Sequence, residues 1–129
     1  MYSHVMVGSN DIDASKTFYD ALFTAIGGKA GKLDPKGRLI YMNNGGIFLV
    51  TPPIDGLPAT HGNGTTIGFA VDGPEQAQAW EQAGIAAGGT AIEDPPGVRS
   101  GSGMNLYLAY LRDPSGNKIC AMHRLPTDA

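Results

Sequence analysis

Hydrophobic and polar positions follow the same order twice along the chain. The first copy starts at His4 and the second at Thr66, about 62 residues later. Each copy has a short alternating stretch, a turn rich in small polar residues, an amphipathic stretch and a Gly-Gly pair. Phe18 and Trp80 occupy equivalent positions in the two copies. A repeat of this kind predicts two equivalent modules that pair around a cleft.

Apolar residues spaced three and four apart predict one helix in each copy. Asp11 or Asp13 can cap the first helix, which should run to about Ala25. Pro74 lies where the first turn of a helix tolerates proline, and the second helix should run to about Ala87. Both helices should cover the outer face of the sheet formed by their own module.

Alternation and turn residues predict eight strands around these helices. The predicted strands lie at residues 2–8, 28–33, 38–43, 46–51, 65–71, 89–93, 104–111 and 117–123. The order βαβββ, repeated once, predicts an α+β fold with two mixed sheets, and not a parallel sheet of βα units. We interpret residues 1–129 as one domain, with modules at about 1–52 and 65–124 and a linker at about 53–64.

Composition excludes several classes of protein. The chain is 42% hydrophobic and 16% charged, as in globular domains, and no apolar run approaches the ~20 residues of a membrane span. Net charge is −3 with scattered basic residues, which does not favour nucleic acid as a partner. No signal-peptide pattern is visible, so we expect a cytoplasmic protein. The single cysteine excludes an internal disulfide.

Alternation along the strands separates a bulky apolar side from a side of small, polar or soft residues. A second buried interface would normally carry large hydrocarbons, so the softer side predicts a small-molecule cleft. The predicted lining comprises His4, Met6, Thr66, Gly68, Cys120 and Met122.

The segment FYDALF at residues 18–23 and the ending LRDPSGNKICAMH at 111–123, with the repeated βαβββ order, resemble the vicinal oxygen chelate superfamily. This superfamily includes glyoxalases, bleomycin-resistance proteins and extradiol dioxygenases. The resemblance implies paired modules around a cleft, often across a dimer, that holds a divalent metal and binds adjacent oxygens of the substrate.

The family's metal-ligand positions fall on His4, Thr66, Cys120 and a site near Leu49. Of these, His4 matches the expected donor, whereas Thr66 and Leu49 do not, and a thiol replaces the usual carboxylate. A tight catalytic metal site needs three or more suitable protein ligands. We therefore expect a degenerate metal site and no conventional metal cofactor, with His4 as the one retained candidate ligand.

Each candidate functional residue has an alternative structural interpretation. His4 is a general base or a remnant ligand, or else a strand histidine satisfied by backbone or water. Cys120 is a nucleophile or soft ligand, or else a packing residue. Arg99 lies in a predicted loop, where it anchors an anion or is simply solvated. Tyr107 and Tyr110 have opposite parity, so only one faces the cleft, and we assign Tyr107 to it.

The sequence is compatible with two functions. The favoured one is a glyoxalase-like enzyme, a lyase or isomerase, in which His4 and Cys120 are catalytic and Arg99 anchors an anion. The alternative is a metal-free protein that binds a small molecule, as bleomycin-resistance proteins do. Either would be a homodimer without nucleic-acid or membrane partners. The expected substrate-binding residues are Thr66, Gly68, Arg99, Tyr107, Met6 and Met122.

Overall fold

A computed structural model describes residues 1–101 and 103–126 of the chain. Within these ranges it contains nine strands and two helices. In chain order they are β1 (Val5–Gly8), α1 (Ile12–Ala25), β2 (Lys32–Leu33), β3 (Leu39–Asn43), β4 (Gly46–Thr51), β5 (Ile67–Ala70), α2 (Pro74–Ala86), β6 (Thr90–Ala91), β7 (Gly97–Gly101), β8 (Met104–Arg112) and β9 (Lys118–Leu125).

The strands form two mixed sheets, one in each module. The first sheet has the order β1-β4-β3-β2, and β1 runs parallel to β4. The second has the order β5-β9-β8-β6, and β5 runs parallel to β9. Strands β6 and β7 both pair with β8, along the edge that does not face β9. The α+β fold is therefore confirmed, and the order βαβββ recurs with one additional strand, β7, in the second module.

Local sequence explains where the elements begin and end. The Asp11 side chain accepts a hydrogen bond from the Ala14 amide (3.0 Å) and caps α1. Gly27, at φ +83°, ends that helix in a conformation that favours glycine. Between β3 and β4, Asn44 and Gly45 both have positive φ, which is the two-residue turn that matches the twist of a hairpin.

The two modules meet through their helices and share one core. α1 packs on α2, and the ring of Phe69 in β5 lies 5.5 Å from that of Phe23 in α1 and 5.1 Å from that of Phe48 in β4. Trp80 and Phe18 are fully buried, and each such side chain contributes roughly 1.5–3 kcal/mol on burial. The helix-facing sides of both sheets thus point toward this core. Their other sides, here called the first and second open faces, do not face each other within one chain.

A buried polar cluster also joins the modules. Asp113, in the turn before β9, accepts hydrogen bonds from the Tyr19 hydroxyl of α1 (2.6 Å) and the Asn117 side-chain amide (2.8 Å). The amides of Ser115 and Asn117 donate to its second oxygen. The Asn117 side chain also donates to the Gly8 carbonyl of β1 (2.8 Å). The Asp-Pro-Ser-Gly-Asn turn therefore anchors the second module to the first.

Several predicted strands are shorter in the structure. β1 and β5 begin after His4 and Thr66, so both residues precede their strands. The strands predicted at 28–33 and 89–93 retain only two residues each. The linker of about 53–64 contains no strand or helix in the structure, and Ala59 is fixed to Asn10 by two hydrogen bonds (2.7 and 3.1 Å).

One strand, β7, was not predicted. Its residues, which include Arg99, were expected to form a loop, but they pair with β8. The Ser-Gly-Ser-Gly sequence at 100–103 also predicts a lid or hairpin tip, and Gly101 lies opposite Met104, so β7 and β8 do form a hairpin; Ser102 lies outside the described residues. No helix in the part of the chain described here is long and apolar enough to span a membrane.

Candidate functional site

The second open face brings a thiol and a phenol together. Tyr110 of β8 lies opposite Cys120 of β9, which in turn lies opposite Gly68 of β5. Directly opposed residues on neighbouring strands project to the same side of a sheet. A Cβ atom at position 68 would lie 3.3 Å from the Cys120 sulfur. Because Gly68 has no side chain, the Cys120 thiol has room beside the β5 backbone.

The Cys120 thiol is not activated as a nucleophile. Its residue is only 6% exposed. Burial raises its pKa to about 11, because the opposing effect of Lys118 is weaker. Since the thiolate is the reactive form, the group is a neutral thiol near pH 7. The structure thus places Cys120 on the predicted face, in a chemical state that suits packing against a ligand.

Tyr110 lies in a small charged group on the same face. Lys118 forms an ion pair with Glu93, and its ammonium lies 5.0 Å from the centre of the Tyr110 ring, within range of a cation–π interaction. Burial is the largest effect raising the pKa of Tyr110. The phenol therefore remains protonated near pH 7 and can donate a hydrogen bond to a ligand oxygen.

Basic residues concentrate on the second open face. Strand register places four of the nine Lys and Arg residues of the chain on this side. They are Arg99, Arg112, Lys118 and Arg124. Across residues 1–101 and 103–126, Lys118 is the one member of this group with a carboxylate within 4 Å. The face is therefore suited to an anionic group.

Arg99 belongs to β7, and its expected position in a loop is wrong. Its guanidinium donates to the carbonyl oxygens of Asp94 (2.9 Å) and Pro95 (3.1 Å). These neutral acceptors hold the side chain in place without neutralising its charge. Arg112 is held in the same way by the Gly116 carbonyl (2.7 Å). Both guanidinium groups are therefore positioned before any ligand arrives.

The first open face is mainly apolar, with Lys32 at its β2 edge. Met6 and Ile40 flank Leu49, and Met42 lies opposite Ile47 in the adjacent row. Met42 is 71% exposed, Met6 40% and Ile47 38%. A contiguous exposed apolar surface on a folded domain marks a contact site.

The donors needed for a metal are not brought together. His4 is exposed, and its Nδ1 lies 2.8 Å from the Ser3 hydroxyl. It belongs to the first module, whereas Thr66 and Cys120 belong to the second, whose open face points elsewhere. Among the described residues, no three His, Cys, Asp or Glu side chains cluster at metal-binding distances. Since Leu49 supplies only hydrocarbon, the residues present do not fit a divalent metal.

Tyr107 was assigned to the cleft, and this assignment is wrong. Its side chain lies on the helix-facing side, where the Gln78 side-chain amide donates to its hydroxyl (2.8 Å). It lies opposite His123, whose Nδ1 is 3.2 Å from the Val71 carbonyl oxygen. Tyr110, of opposite parity, is the tyrosine on the open face.

The remaining predicted residues divide between the two faces. Met6 lies on the first open face, and Gly68, Cys120, Met122 and Arg99 share the second. Sequence reasoning missed Lys118. Its position two residues before Cys120 on one strand is the signal that could have found it.

Comparisons with known proteins agree with this architecture. The family model described as "Glyoxalase/Bleomycin resistance protein/Dioxygenase superfamily" matches residues 2–121. The crystal structure of a glyoxalase/bleomycin resistance protein from Albidiferax ferrireducens T118 is 57% identical. The match covers 96% of this chain and 99% of that one, with a TM-score of 0.92.

Two more distant structures share the fold. A glyoxalase/bleomycin resistance protein/dioxygenase family enzyme from Burkholderia phytofirmans PsJN is 22% identical, with coverage of 95% and 98% and a TM-score of 0.72. Lactoylglutathione lyase from Agrobacterium tumefaciens is 17% identical, with coverage of 95% and 92% and a TM-score of 0.65. A search of curated proteins gave no significant match. The match over residues 2–121 shows that the chain belongs to the glyoxalase/bleomycin resistance protein/dioxygenase superfamily.

Proposed function

We propose that this protein binds a small molecule without a metal, as a bleomycin-resistance-type member of its superfamily, in a cleft formed between two copies. The apolar first open face of one copy covers the cationic second open face of the other. The observation that carries this proposal is the presence of these two complementary, unpartnered faces on one chain. A two-fold axis then generates two identical clefts, each with one wall from each copy.

The chemistry of the two walls defines the ligand class. Met6, Met42 and Ile47 offer a soft apolar surface to a hydrocarbon or ring. Arg99 and Arg112 offer fixed guanidinium groups that match a carboxylate, sulfonate or phosphate. The ligand is therefore a small amphipathic anion.

Light scattering tests the assembly. We expect a particle of twice the 13.4 kDa chain mass. Met42→Glu should give a folded monomer, because a charge buried in an apolar interface is costly. Ile85→Glu is the matched control, since Ile85 is also exposed but lies on α2, away from both open faces. A dimer that survives Met42→Glu, or dissociates with Ile85→Glu, contradicts this arrangement.

Fluorescence titration with 8-anilinonaphthalene-1-sulfonate tests ligand binding. This probe joins an aromatic body to one sulfonate and should bind in a saturable way, once per chain. Arg99→Gln should weaken binding about tenfold, which is the effect of losing a charge-assisted hydrogen bond. Arg38→Gln, which removes an arginine paired with Asp34 in the β2–β3 turn, should leave binding unchanged. Equal affinity in both variants contradicts the proposed site.

A glyoxalase-like enzyme is the second candidate. The observation that favours it is the group of ionisable side chains around Cys120, because raised pKa values cluster at catalytic sites. His4 would then supply a base or a metal ligand from the other copy. Stoichiometric metal in purified protein, lost in His4→Ala, would support this candidate. So would formation of S-lactoylglutathione from methylglyoxal and glutathione, and either result would refute the metal-free binding proposal.

A further inference from the structure

A cavity of about 250 Å³ lies at the seam between the modules, where β1 and β4 of the first module approach β5 of the second. It is bounded by helix-facing rings and by the backbone of β5. The rings belong to Phe23, Tyr41, Phe48 and Phe69. Phe23 and Tyr41 stack with centroids 4.7 Å apart, and Phe48 and Phe69 meet edge to face. The cavity is therefore lined by aromatic surface, and it reaches the edge of the first open face at Ile47.

The other boundary of the cavity is an unpaired strand edge. In the described part of the chain β5 pairs with β9 alone, and the Val71 amide donates to the Met122 carbonyl (3.0 Å). Backbone groups point to alternate sides along a strand. The N–H and C=O groups of Gly68 and Ala70 therefore point away from β9, and both residues line the cavity.

The equivalent edge in the first module is covered. The Ser9 amide donates to the Thr51 carbonyl, so the backbone groups of Gly8 point to the free edge of β1. There the Asn117 side chain donates to the Gly8 carbonyl. Position 8 corresponds to position 70 in the repeat, where the hydrogen bonds of the described residues include no such side-chain partner. Gly68 and Ala70 are exposed, so their backbone groups are open to a ligand, and an unpaired strand edge is a template for pairing.

We propose that the cavity binds a planar heteroaromatic molecule that carries an amide-type N–H and C=O side by side in its ring. A flat ring fills the space beside the stacked aromatic side chains. An adjacent donor and acceptor match the C=O and N–H that Gly68 presents in one direction. The volume lies below the roughly 300–1,000 Å³ of sites for drug-sized molecules, so the ligand has one or two fused rings.

A matched pair of ligands tests this proposal on the full chain. 2-Quinolone has the required ring, donor and acceptor, and 1-methyl-2-quinolone keeps the ring and acceptor but lacks the donor. Titration followed by amide NMR should show 2-quinolone shifting the signals of Gly68 and Ala70. The methylated compound should bind about tenfold more weakly, which corresponds to about 1.4 kcal/mol. Equal affinity for the two compounds, or shifts that leave Gly68 and Ala70 unchanged, overturns the proposal.

A pair of variants provides the second test. Ala70→Pro removes the N–H that points into the cavity without touching the hydrogen bonds to β9, and edge strands tolerate proline. Ala70→Val keeps that N–H and has a similar volume. Binding of 2-quinolone should fall about tenfold in the first variant and hold in the second. If Ala70→Pro fails to fold, the ligand pair decides on the native chain. If it folds and light scattering shows that it has lost its dimer, the edge belongs to an interface between copies and the proposal is overturned.

Discussion

The hydrogen bond from Tyr19 to Asp113 measures how strongly the two modules depend on each other. Tyr19→Phe removes one hydroxyl from the shared core and leaves the Asp113 carboxylate with one donor fewer. The Tyr19 ring is fully buried, and Asp113 is 4% exposed. Burial, followed by the charge of Asp113, raises the pKa of Tyr19 well above its usual value, so the hydroxyl donates throughout the accessible pH range.

The expected loss follows from these surroundings. A hydrogen bond to a charged group contributes about 1.5–3 kcal/mol, and Asp113 keeps its bonds from Ser115 and Asn117, so we expect a loss of about 2 kcal/mol. Tyr41→Phe is the control. Its hydroxyl donates to Asp20, which is partly exposed and keeps other donors, so water can replace the bond and the loss should be about 1 kcal/mol or less.

Urea denaturation followed by circular dichroism measures both variants. Each should unfold in one transition, because the modules share their core. A Tyr19→Phe variant that is no less stable than Tyr41→Phe would refute the reasoning. A wild-type chain that unfolds in two separate steps would do so as well.

Three other outcomes follow from the structure. At about pH 8 Cys120 should react with a maleimide at least about a hundredfold more slowly than free cysteine, since its pKa is about 11 instead of 9; rapid labelling contradicts its burial. Burial alone would raise the pKa of Asp20, but hydrogen bonds from an ammonium, a backbone amide and a tyrosine hydroxyl lower it. The ionised Asp20 therefore stabilises the fold above the usual carboxyl pKa, and this stabilisation is lost as the pH falls through the pKa of Asp20 in the folded chain. Between about pH 6 and pH 3, urea unfolding should therefore show a smaller loss of stability in Asp20→Asn than in wild type. Gly116→Ala should cost about 1–2 kcal/mol in the same assay, because position 116 has φ +90°. The exposed His61 ring lies 2.7 Å from the position of the added Cβ and can turn aside, so an unchanged stability would contradict the backbone strain.

The helices and hairpins could be predicted because their signals are local. The Asp11 cap, the apolar spacing of α1 and the Asn44-Gly45 turn each act within a few residues. β7 could not be found in this way, since its Gly-Val-Arg-Ser-Gly sequence has little strand propensity and owes its conformation to pairing with β8.

The site was harder to predict because β8 is apolar on both sides. Leu108 faces the second open face and Leu111 faces the helices, and both are buried. Alternation therefore gave no reason to prefer Tyr110 over Tyr107. The direction in which each open face points could not be predicted from the sequence either, since it depends on how α1 and α2 pack. A repeat predicts that two modules associate, but not which sides meet.

The interruption between β6 and β7 has a consequence for how such a protein can diversify. β8 is paired along one edge by two separate strands, and residues 92–96 bridge them without pairing in register with it. Glu93, at φ +59°, breaks the extended backbone there. Insertions at this point would lengthen a surface loop without shifting the register of either strand. The loop lies between Glu93 and Arg99, beside the charged face, so a change in its length would alter the surroundings of a bound ligand while both strands keep their pairing.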